Sequence, residues 1–208
     1  ASTSGAAAGD ARPGADVGVQ DLYEKLGRIG EGTYGVVYRA RDRRTGAIVA
    51  LKKVRMDKER DGIPITALRE VRILQELDHP NIVQLLKVIA SPDTCHLFME
   101  HCTGGELLGL MEKMEFSDDG VRSLAFEDVN GGEPVEFGEE QVVHVLHQVL
   151  LAVKHCHDRH IVHRDIKMEN VLLCQPWQTG DRRVKLADFG FATVLGPNER
   201  LTSACGRC

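Results

Sequence analysis

The chain has 208 residues, with 26 lysine and arginine residues against 31 acidic ones, and a formal net charge of −5. This length is ample for a buried core, and the charge balance lacks the positive excess typical of nucleic-acid-binding proteins. The sequence contains neither an apolar run long enough to span a bilayer nor the apolar stretch of a signal peptide. We therefore expect no nucleic-acid partner and no membrane partner.

The N-terminal residues predict disorder, and the cysteines indicate the cellular compartment. Residues 1–20 are rich in alanine, glycine and serine without apolar periodicity, which predicts a disordered leader. Six cysteines are scattered along the sequence, a pattern that favours free thiols in a reducing compartment over a disulfide framework. We expect a cytoplasmic or nuclear protein. The cysteines stand at positions 95, 102, 156, 174, 205 and 208.

A glycine-rich segment opens the ordered part of the chain. Gly30, Gly32 and Gly35 form a G-x-G-x-x-G pattern, which dinucleotide-binding folds also use. In those folds the glycines open a helix, whereas here the β-prone run 36–38 follows and a turn at Thr45-Gly46 leads into a second strand. The segment is therefore predicted to be a phosphate-covering loop between two antiparallel strands. The same argument excludes a dinucleotide-dependent oxidoreductase.

A lysine and a glutamate are predicted to meet behind this loop. Lys52 and Lys53 are adjacent on the second strand, so alternation allows only one of them to point into a cleft. A helix then begins near Pro64 and runs to about Leu77, and Glu70 lies on its apolar face. A carboxylate on such a face needs a partner, and Lys52 is the natural one.

The middle of the chain contains an acidic stretch and a long helix. Residues 115–140 hold nine acidic residues and a single arginine, which predicts an exposed, flexible insertion. Residues 141–159 follow with apolar side chains at helical spacing. Histidines are frequent in and just after this helix, and we assign them packing and surface positions in preference to metal ligation.

The chemistry is concentrated in two short motifs, His163-Arg164-Asp165 with Asn170, and Asp188-Phe189-Gly190. Two predicted strands between them, 171–173 and 184–186, form a hairpin that presents Asp188. Carboxylate and amide oxygens are ligands that Mg²⁺ accepts beside phosphates and waters. We therefore predict that Asn170 and Asp188 bind Mg²⁺.

These linked motifs resemble the protein kinase signature H-R-D-x-x-x-x-N followed by D-F-G. The resemblance implies ATP and Mg²⁺ as cofactors and proteins with Ser or Thr hydroxyls as substrates. It assigns the catalytic base to Asp165, a γ-phosphate contact to Lys167, and the paired α/β-phosphate contact to Lys52 and Glu70. Lysine two residues after the aspartate is typical of serine/threonine kinases.

The resemblance also implies which residues surround ATP. Met99 falls at the gatekeeper position and 100–102 at the hinge, where adenine bonds to backbone groups. The expected nucleotide-binding residues are Ile29, Gly30, Glu31, Gly32, Thr33, Tyr34, Gly35, Val37, Ala50, Lys52, Glu100, Cys102, Asn170 and Asp188.

Different segments of the chain resemble two different subgroups of protein kinases. The glycine loop and the helix sequence PITALRE, residues 64–70, resemble cyclin-dependent kinases, which implies a cyclin-like regulatory partner and inhibitory phosphorylation at Thr33 and Tyr34. The segment 102–107, the Phe191-Ala192 pair and the segment 203–206 resemble calmodulin-dependent kinases instead. Arg164 and Arg69 resemble clamps for an activating phosphate, for which Ser203 and Thr202 are the candidates.

The expected fold is a bilobal α+β kinase fold. We expect a first lobe at 21–102, made of a five-stranded antiparallel sheet and one main helix, and a partial, mainly helical second lobe at 103–208. Because the A-P-E motif and the helices after it are missing from the sequence, we expect a C-terminally truncated kinase. The alternative is an inactive fragment that binds nucleotide or a cyclin-like partner.

Overall fold

A computed structural model describes residues 18–32, 35–54, 64–91, 94–113, 115–116, 122–123 and 137–196. The predicted leader lies outside them apart from residues 18–20. Also outside are Thr33, Tyr34, Thr202 and Ser203, together with most of the acidic insertion. None of the helices in the described part of the chain combines the length and apolar character that crossing a bilayer requires.

The first half of the structure is an antiparallel sheet with a helix against it. The sheet has five strands in the order β1-β2-β3-β5-β4, which confirms the predicted first-lobe architecture. The elements are α1 (Val19–Leu22), β1 (Tyr23–Gly32), β2 (Gly35–Asp42), β3 (Ile48–Val54), α2 (Ile65–Glu76), β4 (Leu85–Ser91) and β5 (Thr94–Glu100).

The turns and faces of this sheet follow the sequence pattern. Gly46 has a φ of +75° in the turn between β2 and β3, and its N–H donates to the Asp42 carbonyl at 2.8 Å. Glycine adopts this left-handed conformation without the steric cost of a Cβ. On β3, Lys52 is buried and Lys53 is exposed, as alternation predicts.

The described part of the second half combines two α-helices with one three-stranded sheet and two short strand pairs. Its longest element is a 19-residue helix, which starts two residues earlier than the sequence pattern indicated. The elements are β6 (Gly105–Glu106), α3 (Leu107–Met111), β7 (Glu115–Phe116), β8 (Arg122–Ser123), α4 (Glu139–His157), β9 (Ile161–Val162), β10 (Val171–Leu173), β11 (Val184–Leu186) and β12 (Thr193–Val194).

Two apolar clusters position the motif loops. One joins α2, α4 and the side chain of Phe189, so it extends from the sheet half into the helical half. The other lies beneath β10 and β11 and contains Trp177 and Phe137, with ring centroids 5.0 Å apart. Phe137 belongs to the segment 115–140, which was expected to be an exposed insertion. Its side chain is instead buried, because its apolar ring packs against the Trp177 indole.

A buried polar network fixes the β11 hairpin to the rest of the core. The Asn81 side-chain amide donates to Gln148 Oε1 at 2.7 Å and to the Val184 carbonyl at 2.9 Å. Gln148 Oε1 also accepts from the Val184 N–H at 3.0 Å, and its Nε2 donates to the Arg182 carbonyl. Satisfied networks of this kind hold one arrangement, because a broken one leaves buried polar groups unpaired.

Gly104 is predicted to be a strict structural requirement. A Cβ at this position would overlap the Gln175 carbonyl oxygen and the Leu173 side chain, whereas a Cβ on Gly109 of α3 would meet no atom within 4 Å. Gly104→Ala should therefore lower the free energy of unfolding by about 1–3 kcal/mol, as overpacked sites do.

Gly109→Ala is the matched control, and it should be neutral or stabilising by up to about 1 kcal/mol, because alanine favours a helix. Thermal denaturation of the two variants checks the pair. Equal midpoints would show that the crossing of residues 104 and 175 is looser than described.

Candidate active site

The lysine of β3 lies at the centre of a buried ion cluster. Lys52 Nζ is 2.7 Å from Glu70 Oε1, 2.9 Å from Glu70 Oε2 and 3.4 Å from Asp188 Oδ1. The Lys52 and Glu70 side chains are only 8% and 2% exposed, whereas Asp188 is 38% exposed. Burial acts to lower the pKa of Lys52, but the facing carboxylates of Glu70 and Asp188 outweigh it and raise that pKa. Lys52 is therefore held as a cation.

The aspartate of the second motif has an unusual backbone. Asp188 has a φ of +58°, in the left-handed region that costs a non-glycine residue energy. Its carboxylate accepts from the Gly190 N–H at 3.4 Å, and the following Phe189 ring is buried beneath α2. The half-exposed carboxylate is thereby directed toward the lysine.

The loop 163–170 is folded around Asp165. Asn170 Nδ2 donates to the Asp165 carbonyl at 2.8 Å and to its Oδ2 at 2.9 Å, and Lys167 Nζ lies 3.2 Å from the same carboxylate oxygen. A short 3-10 turn at 168–170 brings Asn170 back to Asp165. These contacts occupy Oδ2 and give the carboxylate a fixed direction.

A histidine connects the two motifs. His163 Nε2 donates to the Ala187 carbonyl at 3.0 Å, its Nδ1 accepts from the Asp165 N–H at 3.3 Å, and its ring packs edge-on to Phe189. The Ala187 N–H in turn donates to the Asn170 carbonyl at 2.8 Å. The base loop and the Asp188 segment therefore form one hydrogen-bonded unit.

His163 should make the stability of the fold depend on pH. Burial lowers its pKa from 6.5, so below pH 6.5 the unfolded chain takes up a proton that the folded chain resists. The contribution of the neutral His163 to the free energy of unfolding is therefore fully present above pH 6.5, and it decreases as the pH falls toward the lowered pKa. One such proton changes the free energy of unfolding by at most about 1.4 kcal/mol per pH unit.

His163→Phe, which keeps a ring against Phe189, should reduce this slope. Denaturant unfolding between pH 5 and pH 7 measures it. His79 and His96 also have pKa values lowered by burial, so the slope should become smaller without vanishing. An unchanged slope would mean that His163 titrates alike in the folded and unfolded chain.

The glycine loop has the expected hairpin form. β1 pairs with β2 through Gly32 and Gly35, with Gly30 opposite Val37. A Cβ on Gly35 would overlap the Lys53 carbonyl, while Gly30 has room for one. Val37 is paired with Lys52 and Ala50 with Met99, so Val37, Ala50 and Met99 lie on the same face of the sheet as Lys52. Ile29 and Glu31 are exposed on β1.

The segment after β5 joins the two halves. Glu100 Oε1 lies 2.7 Å from Lys185 Nζ of β11 and accepts from the Gln84 N–H at 2.7 Å. Cys102 is half-buried, and the adjacent Thr103 N–H donates to the Cys174 carbonyl at 3.0 Å. The Glu100 side chain thus makes structural contacts, and any nucleotide contact at this position falls to backbone groups.

Sequence reasoning missed part of the site. Lys185 was not singled out, because its partner Glu100 is distant in sequence.

Arg164 meets the segment that follows Phe189. Its Nε donates to the Phe191 carbonyl at 2.7 Å, and its φ is +68°. Arg69 is exposed on α2. The candidate phosphosites for these arginines lie outside the described residues, so the clamp remains a prediction.

Comparison with known proteins decides the family. The protein kinase domain family matches residues 23–208, which is most of the chain. The chain belongs to the protein kinase family. The five-stranded sheet, the Lys52–Glu70 pair and the two motif loops are the parts of a kinase domain that the structure describes.

Individual relatives place this kinase domain near the cyclin-dependent kinases. It is 46% identical over 176 residues to "Cyclin-dependent kinase 10" of Rattus norvegicus, and 45% identical over 176 residues to the protein of that name in Homo sapiens; each match covers 84% of this chain and 42% of the relative. It is 45% identical over 175 residues to "Cell division control protein 2 homolog 3" of Trypanosoma brucei brucei, a match covering 84% of this chain and 48% of that protein.

These matches confirm that the sequence resembles cyclin-dependent kinases. The chain spans less than half the length of these curated relatives. The calmodulin-dependent-like segments therefore stand within a sequence that is cyclin-dependent-kinase-like along most of its length.

Proposed function

We propose that this chain is the catalytic part of a serine/threonine protein kinase, which transfers the γ-phosphoryl group of ATP to Ser or Thr hydroxyls of proteins. The observation that carries the proposal is the buried cation Lys52 between Glu70 and Asp188, joined to the Asp165 loop through Ala187 and His163. Phosphoryl transfer needs this combination of a fixed cation, oxygen ligands and a carboxylate base.

The residues present fit Mg²⁺ and ATP. Asp188 offers a half-exposed carboxylate beside the Lys52 cation, and Asn170 uses its amide nitrogen on Asp165, which directs the amide oxygen away from that residue. Oxygen ligands of this kind suit Mg²⁺, which neutralises charge on the phosphates when it is bound. Asn170 and Asp188 would hold the ion, and Lys52 would contact the α- and β-phosphates.

The glycine hairpin would cover the phosphates, and the segment 100–102 would bond to adenine through its backbone. In this proposal the nucleotide contacts come from residues 29–32 and 35 with Val37 and Ala50. Thr33 and Tyr34 would complete the loop. The lobes would then comprise residues 21–102 and 103–208, with the nucleotide between them.

Asp165 would act on the attacking hydroxyl. Its Oδ2 is engaged by Asn170 and Lys167, so Oδ1 is the oxygen that would accept the proton of a Ser or Thr hydroxyl. Lys167 lies beside it and would steady the γ-phosphate. General-base positioning of this kind contributes about 10²–10⁴ in rate.

A regulatory subunit is the proposed partner. Ile65 and Leu68 on α2 are 72% and 50% exposed, an apolar pair on the helix that carries Glu70. The rat and human relatives reported above carry "Cyclin-dependent kinase" in their names, which supports a cyclin-like protein on this face. The same exposed pair favours the alternative function, a fragment that binds such a partner without catalysis. A cytoplasmic or nuclear location suits either function.

Phosphate transfer to peptides separates the two functions. The 208-residue chain, alone and with a panel of cyclins, is incubated with γ-labelled ATP, Mg²⁺ and peptides that offer Ser, Thr or Tyr. Incorporation into Ser or Thr peptides that requires Mg²⁺ supports the kinase. Cyclin binding by a folded chain that labels no peptide would support the alternative.

A further inference from the structure

Two cysteines meet where the segment after β5 crosses the end of β10. The Thr103 N–H donates to the Cys174 carbonyl at 3.0 Å, and the Gly104 N–H donates to the Leu173 carbonyl at 3.1 Å. These bonds hold the backbone that follows Cys102 against Cys174 and Leu173, and the two thiols lie close enough to shift each other's pKa. Both residues are half-buried.

The charges around the pair make the two thiols chemically unequal. Lys185 of β11 acts on both thiols. Cys174 is also near Arg183, with Asp181 opposing it, whereas Cys102 is near the Glu100 carboxylate. The contact with Cys102 is the largest cause that lowers the pKa of Cys174, to about 7, and Lys185 and Arg183 add to it. The nearby cations favour the thiolate form of Cys174, and thiolates are the species that react with oxidants.

We propose that Cys102 and Cys174 are an oxidative modification site, at which hydrogen peroxide converts the two thiols into a disulfide. The Cys174 thiolate attacks one peroxide oxygen, the O–O bond breaks, and hydroxide leaves and takes up a proton as water. The Cys102 thiol then attacks the resulting sulfenic sulfur, and a second water leaves with the proton of that thiol. Two electrons pass from the sulfurs to the peroxide.

The consequence is a covalent link between the segment that joins the two halves and the strand beneath it. Cys102 follows β5 directly, and Cys174 follows β10. The link would restrict movement of one half against the other at the proposed adenine site. The buried Cys95 and Cys156 provide the contrast, because burial raises the pKa of both thiols.

Peptide mapping after peroxide treatment tests the site. The reduced 208-residue chain is treated with equimolar hydrogen peroxide, remaining thiols are blocked with N-ethylmaleimide in denaturant, and tryptic peptides are analysed by mass spectrometry. We expect one cross-linked species that joins the peptides of Cys102 and Cys174 and that dithiothreitol separates, while Cys95 and Cys156 are alkylated. Mapping also distinguishes this link from any bond between Cys205 and Cys208.

Two variants test the order of the steps. With Cys102→Ser, the sulfenic acid on Cys174 has no neighbouring thiol, so its labelling by dimedone should rise several-fold above that of the wild type. With Cys174→Ser, Cys102 should stay alkylatable. The proposal is overturned if wild-type Cys174 remains reduced, proceeds to sulfinic acid, or links to another cysteine.

Discussion

Lys52→Met should reduce phosphoryl transfer by roughly 10²–10³-fold, the loss typical of removing one charged or hydrogen-bonding group from a preorganised site. Lys52 is the cation that contacts both Glu70 and Asp188, and its side chain is buried between them. Methionine has a similar length without the charge. Initial rates with Mg²⁺ and ATP measure the effect.

The adjacent Lys53→Met is the matched control. Lys53 is the next residue on β3 but is exposed, so its replacement should leave the rate within about twofold, in line with the small effects of surface substitutions. Equal losses in the two variants would contradict the assignment of Lys52.

Loss of stability has to be separated from loss of chemistry, because Lys52→Met strands the buried Glu70 carboxylate. Breaking a buried pair in this way costs about 3–5 kcal/mol. The double variant Lys52→Met/Glu70→Gln removes the stranded charge, so it should recover part of this stability and none of the activity. Recovery of activity together with stability would mean that Lys52 acts only in folding.

Asp165→Asn should have the second large effect, a decrease in the rate of about 10²–10⁴-fold with ATP affinity nearly unchanged. The substitution removes the proton acceptor, but the Asn170 amide can still donate to the backbone carbonyl of residue 165. Single-turnover phosphate transfer and nucleotide titration measure the two quantities separately.

Asp158→Asn serves as the control for this variant, because Asp158 pairs with Lys154 on the exposed surface of α4. It should retain the full rate. A loss of nucleotide affinity in Asp165→Asn equal to its loss of rate would contradict the role of base and indicate a binding role instead.

Local patterns in the sequence predicted much of the frame of the site. Strand alternation selected Lys52 over Lys53, helical spacing placed Glu70 on the buried face of α2, and the glycine spacing gave the β1–β2 hairpin. Each of these inferences depends on residues close together in the chain, where backbone periodicity alone decides which side a residue faces.

The interactions that sequence reasoning missed join residues far apart in the chain. Glu100 and Lys185 pair across the two halves, Asn81 meets Gln148 and Val184, and the Thr103 N–H donates to the Cys174 carbonyl. No local period relates such positions, because tertiary packing brings them together. Buried polar partners of this kind depend on the tertiary fold, so the sequence pattern alone does not predict them.

Mg²⁺-dependent ATP binding is the most direct test of whether Lys52 and Asp188 form a nucleotide site. Isothermal titration of the 208-residue chain, of Lys52→Met and of Asp188→Asn, each with and without Mg²⁺, gives the affinities. We expect that the wild type binds ATP with Mg²⁺, that Lys52→Met binds ATP more weakly, and that Asp188→Asn loses the Mg²⁺ dependence. The proposed nucleotide site would be contradicted by a folded wild-type chain that binds no ATP. It would also be contradicted if ATP bound equally well without Mg²⁺ and without Lys52.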